Sequence, residues 1–322
     1  MRIPRIKIHG TSTTYHCMSR IVGGQPLLTP PEREKLRQFL WRQARFCGVQ
    51  ILTYAILDNH FHVYLRVPPP EDLSDAILLQ RVEGFYGPRH AESLRLQEEF
   101  RQLGHLGQRS RQRLRARMGD ISVYMKELKQ GFSRGYNARH QRYGTLWAER
   151  FRSVVVEDQP GAVQTVAGYI DLNPVRAGGV RDPKDYRWCG YGEAVAGGVE
   201  ARAGILSFHG STDWGEVAAE YRRALLLGAG VAGRSGKVVL EREEILQQLA
   251  RGTRLSLGQV LRLRVRYFRD GVVLGSADYV DEVFRRYRKR FGPRRKTGAR
   301  KLRGLGLEKL RVLRDLRVSV IK

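Results

Sequence analysis

His60 and His62 flank Phe61 in the stretch DNHFHVYLR, residues 58–66 of a 322-residue chain. Side chains alternate along a strand, so both imidazoles fall on one face and Phe61 on the other. Two imidazoles so spaced converge on one divalent ion with little rearrangement. The plainer alternative makes one a hydrogen-bonded sheet histidine and leaves the other half exposed. Further along, GYIDLNPVRAGG (168–179) sets Tyr169 and Asn173 four residues apart, on one face of any helix that runs that far. A phenolic oxygen and an amide carbonyl oxygen then reach the same small volume. Here the plainer alternative is a half-buried tyrosine and an asparagine that caps the helix ahead of Pro174.

Several elements must position these residues. TYHCMSRIVGG (14–24) reads as a strand entering a glycine turn. LTPPEREKLRQFLWRQARFCG (28–48) has prolines and acids at its start, with Leu36, Phe39, Leu40 and Ala44 at helical spacing; it predicts an amphipathic helix ending near Gly48. VQILTYAILD and FHVYLRVP read as two strands joined by a tight turn at Asp58-Asn59, with Pro68 to Pro70 ending the second. Residues 71–119 are Arg- and Gln-rich and predict a helical, basic insert. DISVYMKELKQGFSRGYNARH (120–140) predicts a helix capped by Asp120, with Val123, Met125, Leu128 and Phe132 on its apolar side. GTLWAERFRSVVVED (144–158) closes on a β-branched run, a strand, and 161–179 predicts a helix kinked near Pro174.

The order β-α-β-β-insert-α-β-α implies an α+β fold: a ferredoxin-like split βαβ antiparallel sheet with helices on one face. Residues 201–322 read as a C-terminal all-α basic region, of a size compatible with a helix-turn-helix module. The domain division is therefore 1–200, carrying the insert at about 71–119, and 201–322.

A net charge of +26 and a pI near 10.6 call for a polyanion, because Lys and Arg gain affinity by releasing counterions from phosphates. No apolar run approaches the roughly 18–20 residues of a spanning helix, so the expectation is a soluble, cytoplasmic, nucleoid-associated bacterial protein without a membrane partner. Cys17, Cys47 and Cys189 are odd in number and unpaired in spacing; they predict buried, reduced thiols.

The segments ILDNHFHVYL, GTLWAERFRSVVVED and YIDLNPVRAG, in this order, resemble the single-tyrosine transposases of the HUH nuclease superfamily, and within them the REP-associated tyrosine transposases. The resemblance spans roughly residues 10–195; NHFHVYL and YIDLNPVRAG are its specific parts. It implies a ferredoxin-like catalytic domain with Mg²⁺ or Mn²⁺ held by His60, His62 and Asn173, and with Tyr169 as nucleophile. It further implies cleavage and rejoining of single-stranded DNA at hairpin-forming, palindromic ends through a 5′-phosphotyrosine, by a monomer or a homodimer. A phenol has an ordinary pKa near 10, so a base is wanted; His16 and Lys126 are the two candidates.

The basic residues expected on DNA fall in two groups. Arg134, Arg139, Arg142 and Arg150 lie near the second main helix and last strand, interleaved with Tyr136, Tyr143 and Trp147, a mixture that can stack bases and neutralise phosphates. Trp147 is read as a core residue. Arg285, Arg286, Arg288, Lys289, Arg290, Arg294, Arg295 and Lys296 form the second group, where like charges repel unless a polyanion is near. Two other readings stay open: a catalytically silent DNA- or RNA-binding protein on the same fold, and a metal-dependent hydrolase that uses water.

Overall fold

The computed structural model describes residues 5–69, 71–229, 271–291, 296, 298 and 316–320. Strand β1 (Thr13–Arg20) leads into a short turn in which Gly23 and Gly24 take positive φ. Helix α1 (Pro30–Cys47) starts on its two prolines and ends where Gly48, at φ 67°, turns left-handed and its N–H closes on Ala44. Leu36, Leu40 and Ala44 are buried as their spacing predicts. Strands β2 (Gln50–Ile56) and β3 (His60–Val67) form a hairpin closed by Leu57 N–H donating to His60 O at 2.8 Å.

The insert folds as α2 (Asp75–Tyr86), α3 (Ala91–Leu103) and α4 (Gln108–Arg115). Its arginines are largely matched within the protein: Arg95 to Glu92 and Glu99, Arg101 to Glu98, Arg111 to Asp75, Arg117 to Glu127. Helix α5 (Ile121–Arg139) begins on Asp120, whose Oδ1 accepts from the amides of Ser122 and Val123. Its buried side is Ile121, Tyr124, Met125, Leu128 and Phe132, with Val123 rotated to a half-buried position. Strand β4 (Arg152–Val156) is shorter than the sequence suggests. Residues 144–151 lie irregularly beside β1, and Trp147 is buried there with its indole N–H on the Lys129 carbonyl at 3.1 Å.

The sheet order is β2-β3-β1-β4, every neighbour antiparallel, which is the split βαβ arrangement. Phe61 meets Trp147, and Trp147 meets Phe132, so α5 lies on the Phe61 face of β3; the Tyr124 hydroxyl donates to Leu40 O at 3.2 Å and joins α1 to it. The expected cover of one face by these two helices is what is seen. Buried Glu32 of α1 accepts from Arg139 and His140 at the far end of α5. Burial alone raises its pKa, yet these partners and Lys35 hold it below the ordinary carboxylate value.

Beyond that cover, a helix lies on the second face. Helix α6 (Pro160–Asp171) follows β4 and packs on β2 and β3. It is followed by α7 (Asn173–Arg176), α8 (Gly190–Val195), α9 (Val199–Leu206) and α10 (Trp214–Ala229). Glu193 of α8 fastens this layer to the first, accepting from Trp41 Nε1 at 2.9 Å and the Tyr54 hydroxyl at 2.6 Å.

The C-terminal region differs from the wholly helical expectation. Strand β5 (Gly271–Ser276) pairs in parallel with β4, and β6 (Leu316–Val320) pairs antiparallel with β5. The edge of β4 is thereby paired with the β-branched run GVVLGS, whose residues 272–275 are buried; unpaired edges expose backbone donors and acceptors. Helix α11 (Ala277–Arg286) follows β5 directly, capped by the Ser276 hydroxyl. The helix-turn-helix expectation for the segment before residue 271 lies outside the described residues. All three cysteines are free and buried.

Candidate active site

Cross-strand partners in an antiparallel pair share a face. His16 on β1 stands opposite Tyr64, Met18 opposite His62, and Arg20 opposite His60. His16, His60 and His62 therefore line one face, the one that α6 covers. His16 Nε2 and His62 Nδ1 share a hydrogen bond of 2.8 Å, their rings stacked with centroids 5.1 Å apart. The ring of Tyr169, from α6, stands edge-on to both, at 6.0 Å from His16 and 5.9 Å from His62. His60 completes the group, its ring 5.1 Å from that of His62. Two segments far apart in the chain thus meet at one spot.

Burial grades across the group. His62, His16 and Tyr169 are 1%, 2% and 3% exposed, while His60 is half-buried and forms the edge nearest solvent. The tautomer of His60 follows from its neighbour. Asn59 Nδ2 donates to Gly24 O at 3.0 Å, which turns Oδ1 toward the ring, so His60 Nδ1–H donates to Asn59 Oδ1 at 2.6 Å. The lone pair of His60 is then on Nε2, as a metal ligand needs. In the same way, the bond to His16 takes up His62 Nδ1.

Asn173 does not continue the α6 helix. Pro174 has no N–H for the carbonyl of Ile170, and α6 stops at Asp171. The Asn173 amide nitrogen fills the gap, donating to Tyr169 O at 3.0 Å and Ile170 O at 3.2 Å. Arg176 adds a bond to Tyr169 O at 2.9 Å and lays its guanidinium 5.0 Å from the Tyr169 ring. With Nδ2 so engaged, Oδ1 is the acceptor end left to Asn173. Two imidazole nitrogens and one amide oxygen fit a small divalent cation with open positions. Among the described residues no group of three or more His, Cys, Asp or Glu side chains is disposed to hold a metal.

Asp171, between Tyr169 and Asn173, has no counterpart in the sequence reading. It is fully buried and accepts from Thr53 Oγ1 (2.8 Å), Tyr221 OH (2.7 Å) and the Tyr191 amide (3.0 Å). Burial pushes its carboxyl up to about 6, against the lowering effect of these three donors. It anchors the tyrosine helix to β2, α8 and α10 at once. An acid inside the apolar run GYIDL is the signal that would have found it. Of the two candidate bases, His16 is at the site; Lys126 is exposed on α5, across the sheet.

The predicted DNA contacts are scattered. Arg134 and Arg150 are exposed. Arg139 is committed to Glu32, and Arg142 donates to Thr145 O at 3.1 Å. Arg285, Arg286, Lys289, Arg290 and Lys296 are exposed and Arg288 half-buried, while Arg294 and Arg295 lie outside the described residues. The C-terminal group sits at the far end of the sheet: Ser276 N–H donates to Glu157 Oε2 at 2.6 Å, and Arg286 reaches His9 O. His60 marks the other end, roughly 20 Å along the strands.

No protein-family model matches the chain, and no curated protein does. Among solved structures, one of a REP-associated tyrosine transposase bound to a REP hairpin superposes with a TM-score of 0.39 at 17% identity, covering 61% of this chain and 87% of that one. Among the described residues no helix is long and apolar enough to cross a membrane.

Proposed function

We propose that the chain is a metal-dependent transposase or endonuclease of single-stranded DNA, which cleaves and rejoins hairpin-forming ends through a 5′-phosphotyrosine. One observation carries this reading: the Tyr169 ring stands edge-on to His62 and His16, with His60 alongside. Of the four residues that the transposase resemblance implies, His60, His62 and Tyr169 lie ring against ring, which supports the reading.

Tyr169 is the nucleophile. Its oxygen forms a bond to phosphorus as the bond to the 3′-oxygen breaks, leaving a free 3′-hydroxyl once that oxygen is protonated. The phenol sheds its proton in the process, and the imidazole of His16 faces its ring. A Mg²⁺ or Mn²⁺ ion held by His60, His62 and Asn173 would polarise a non-bridging oxygen of the scissile phosphate. Asn59 and His16 orient the two ligand rings, and Arg176 with Asn173 holds the backbone of Tyr169. The phosphodiester to tyrosine keeps the bond energy, so a second 3′ end can reverse the step without a nucleotide cofactor.

A second reading, a DNA- or RNA-binding protein without chemistry, draws on the 3% exposure of Tyr169 and on the capping role of Asn173. Incubation with a 5′-labelled and a 3′-labelled hairpin oligonucleotide and Mn²⁺ separates the two. A covalent adduct that retains the 3′ label and is lost in Tyr169→Phe, with binding intact, supports the nuclease. Binding with no adduct under any divalent cation leaves the silent reading.

A further inference from the structure

We propose that Arg20 and Arg152 form a clamp for the phosphates of a single-stranded DNA at the mouth of the His60 site. The inference rests on the proposed function for the identity of its ligand, and on strand register for its position. On β1 the residues that share the histidine face are Thr14, His16, Met18 and Arg20. Arg20 stands directly opposite His60 on β3, and Met18 stands between His62 on β3 and Arg152 on β4. Directly opposed side chains have Cβ atoms about 5 Å apart and diagonal ones about 7–8 Å. Arg20, two residues beyond Met18, and Arg152, across from Met18, are therefore diagonal neighbours on the same face as His60 and His62.

Burial supports the direction of approach. Arg20 and Arg152 are both exposed, Met18 beneath them is buried, and His60 is the histidine nearest solvent. A strand that reached His60 from solvent would meet this pair first. Arg152 is paired with Glu149 at 2.9 Å, but their side chains are 50% and 56% exposed. Surface pairs of this kind are worth little and yield readily to a phosphate, which offers more charge and a matching fork of oxygens. The backbone under Arg20 is fixed: its carbonyl accepts from Ala148 N–H at 2.9 Å, and the next residue, Ile21, donates to Asn59 O at 2.8 Å. Arg176 over the Tyr169 ring gives a third positive charge to the same site. By contrast, the exposed Arg95 and Arg101 of the insert pair with glutamates of their own helix, α3.

The test uses the full chain in a Tyr169→Phe background, so that binding is read without cleavage. Affinity for a fluorescent oligothymidine is measured from about 50 to 200 mM salt for the parent, Arg20→Gln, Arg152→Gln, the double variant and Arg101→Gln. Each phosphate contact contributes about 0.7 to the slope of log K against log salt for a single strand. The double variant should lose about 1.4 from that slope, and about tenfold or more in affinity at low salt. Arg101→Gln, equally charged and paired on α3, should change neither. Arg20→Lys, which keeps the charge, should restore most of the slope. An unchanged slope in the double variant overturns the clamp, and if the wild-type chain still forms the Tyr169 adduct the nuclease reading survives alone. A reduced slope without any adduct from wild type leaves the clamp standing and removes the nuclease.

Discussion

The hydroxyl of Tyr221 donates to Asp171 Oδ2 at 2.7 Å, which ties α10 to the helix that carries Tyr169. Asp171 is two residues beyond the tyrosine and fully buried, so any rotation of α6 must break this bond or the ones from Thr53 and Tyr191. The next residue of α10, Arg222, pairs with Asp182 at 2.6 Å and ties α10 to the segment that follows α7. Helix α10 is thus part of the device that sets the tyrosine against the histidines.

The protonation of Asp171 gives a stability signature. Its folded pKa, near 6, lies above its ordinary 3.8 because burial penalises the charge. Below pH 4 both states hold the proton. Between about pH 4 and 6 the unfolded chain releases it while the folded chain resists, so stability falls as pH rises; above 6 this contribution is constant. The window integrates to on the order of 3 kcal/mol. Asp171→Asn keeps an acceptor for Thr53 and Tyr191 and cannot ionise, so urea denaturation should show it gaining on wild type between pH 4 and 6. Parallel profiles would show that the carboxyl is not the source. Asp171→Ala strands three buried donors and should cost about 3 kcal/mol or more at pH 7.

Gly190 controls the Thr53 contact. A Cβ at Gly190 would overlap Thr53 Oγ1 and come within 3.0 Å of its Cα. The hydroxyl would have to turn away from Asp171, or α8 would have to lift from β2. Gly190→Ala should cost about 2–3 kcal/mol. Combined with Thr53→Ala it should be less than additive, since the second change removes the hydroxyl, which is the nearest atom that the first one strikes. A double-mutant cycle by denaturant unfolding checks this, and full additivity would place the strain elsewhere.

Much of this site is legible in the amino-acid sequence, because its chemistry is local in sequence. His60-Phe61-His62 and Tyr169 to Asn173 each need only a strand or helix period to be seen. His16 sits mid-strand in TYHCMSR, and only the β1–β3 register brings it onto His62; that pairing is a long-range fact that no local pattern carries. Arg20 is hidden for the same reason. Arg139 reads as a surface base because its partner, Glu32, lies in another helix. Asn173 has two positions in the sequence, a point on the helix face of Tyr169 or a cap ahead of Pro174; Pro174 ends α6, and the amide is a cap. Strand β6 is hidden by charge: from Arg285 onward the chain has 16 Lys and Arg against two acidic residues, and that composition speaks of a partner rather than a fold.

Asn59 should tune the metal response of the site. Its Oδ1 accepts from His60 Nδ1 and fixes the tautomer and orientation of the ring, and partners of this kind are worth about 10–100-fold in metal affinity. Under the proposed function, Mn²⁺ raises the melting temperature of the wild-type chain and His60→Ala abolishes the rise. Asn59→Ala should need about 10–100-fold more Mn²⁺ for the same shift, with its metal-free melting temperature little changed. An identical Mn²⁺ titration for both would mean that the ring is oriented by something other than Asn59.

Tyr143 is 94% exposed in the turn between α5 and β4. The turn itself is well anchored: Asn137 Nδ2 donates to Gly144 O at 3.0 Å, and Val22 N–H donates to Leu146 O at 3.0 Å. A large aromatic ring on a fixed loop loses apolar area to water and gains no packing in return, so folding does not account for it. Next to Arg142 in the chain, the ring can stack a base, an interaction worth about 1–3 kcal/mol per base. Tyr143→Ala should leave the melting temperature unchanged and weaken oligonucleotide binding by about 5- to 100-fold. Tyr143→Trp should retain or improve binding, because the stacking surface is kept. The salt slope should stay at its wild-type value in both variants, since stacking releases no counterions. A loss of slope in Tyr143→Ala would instead mean that the ring acts by positioning the neighbouring arginines.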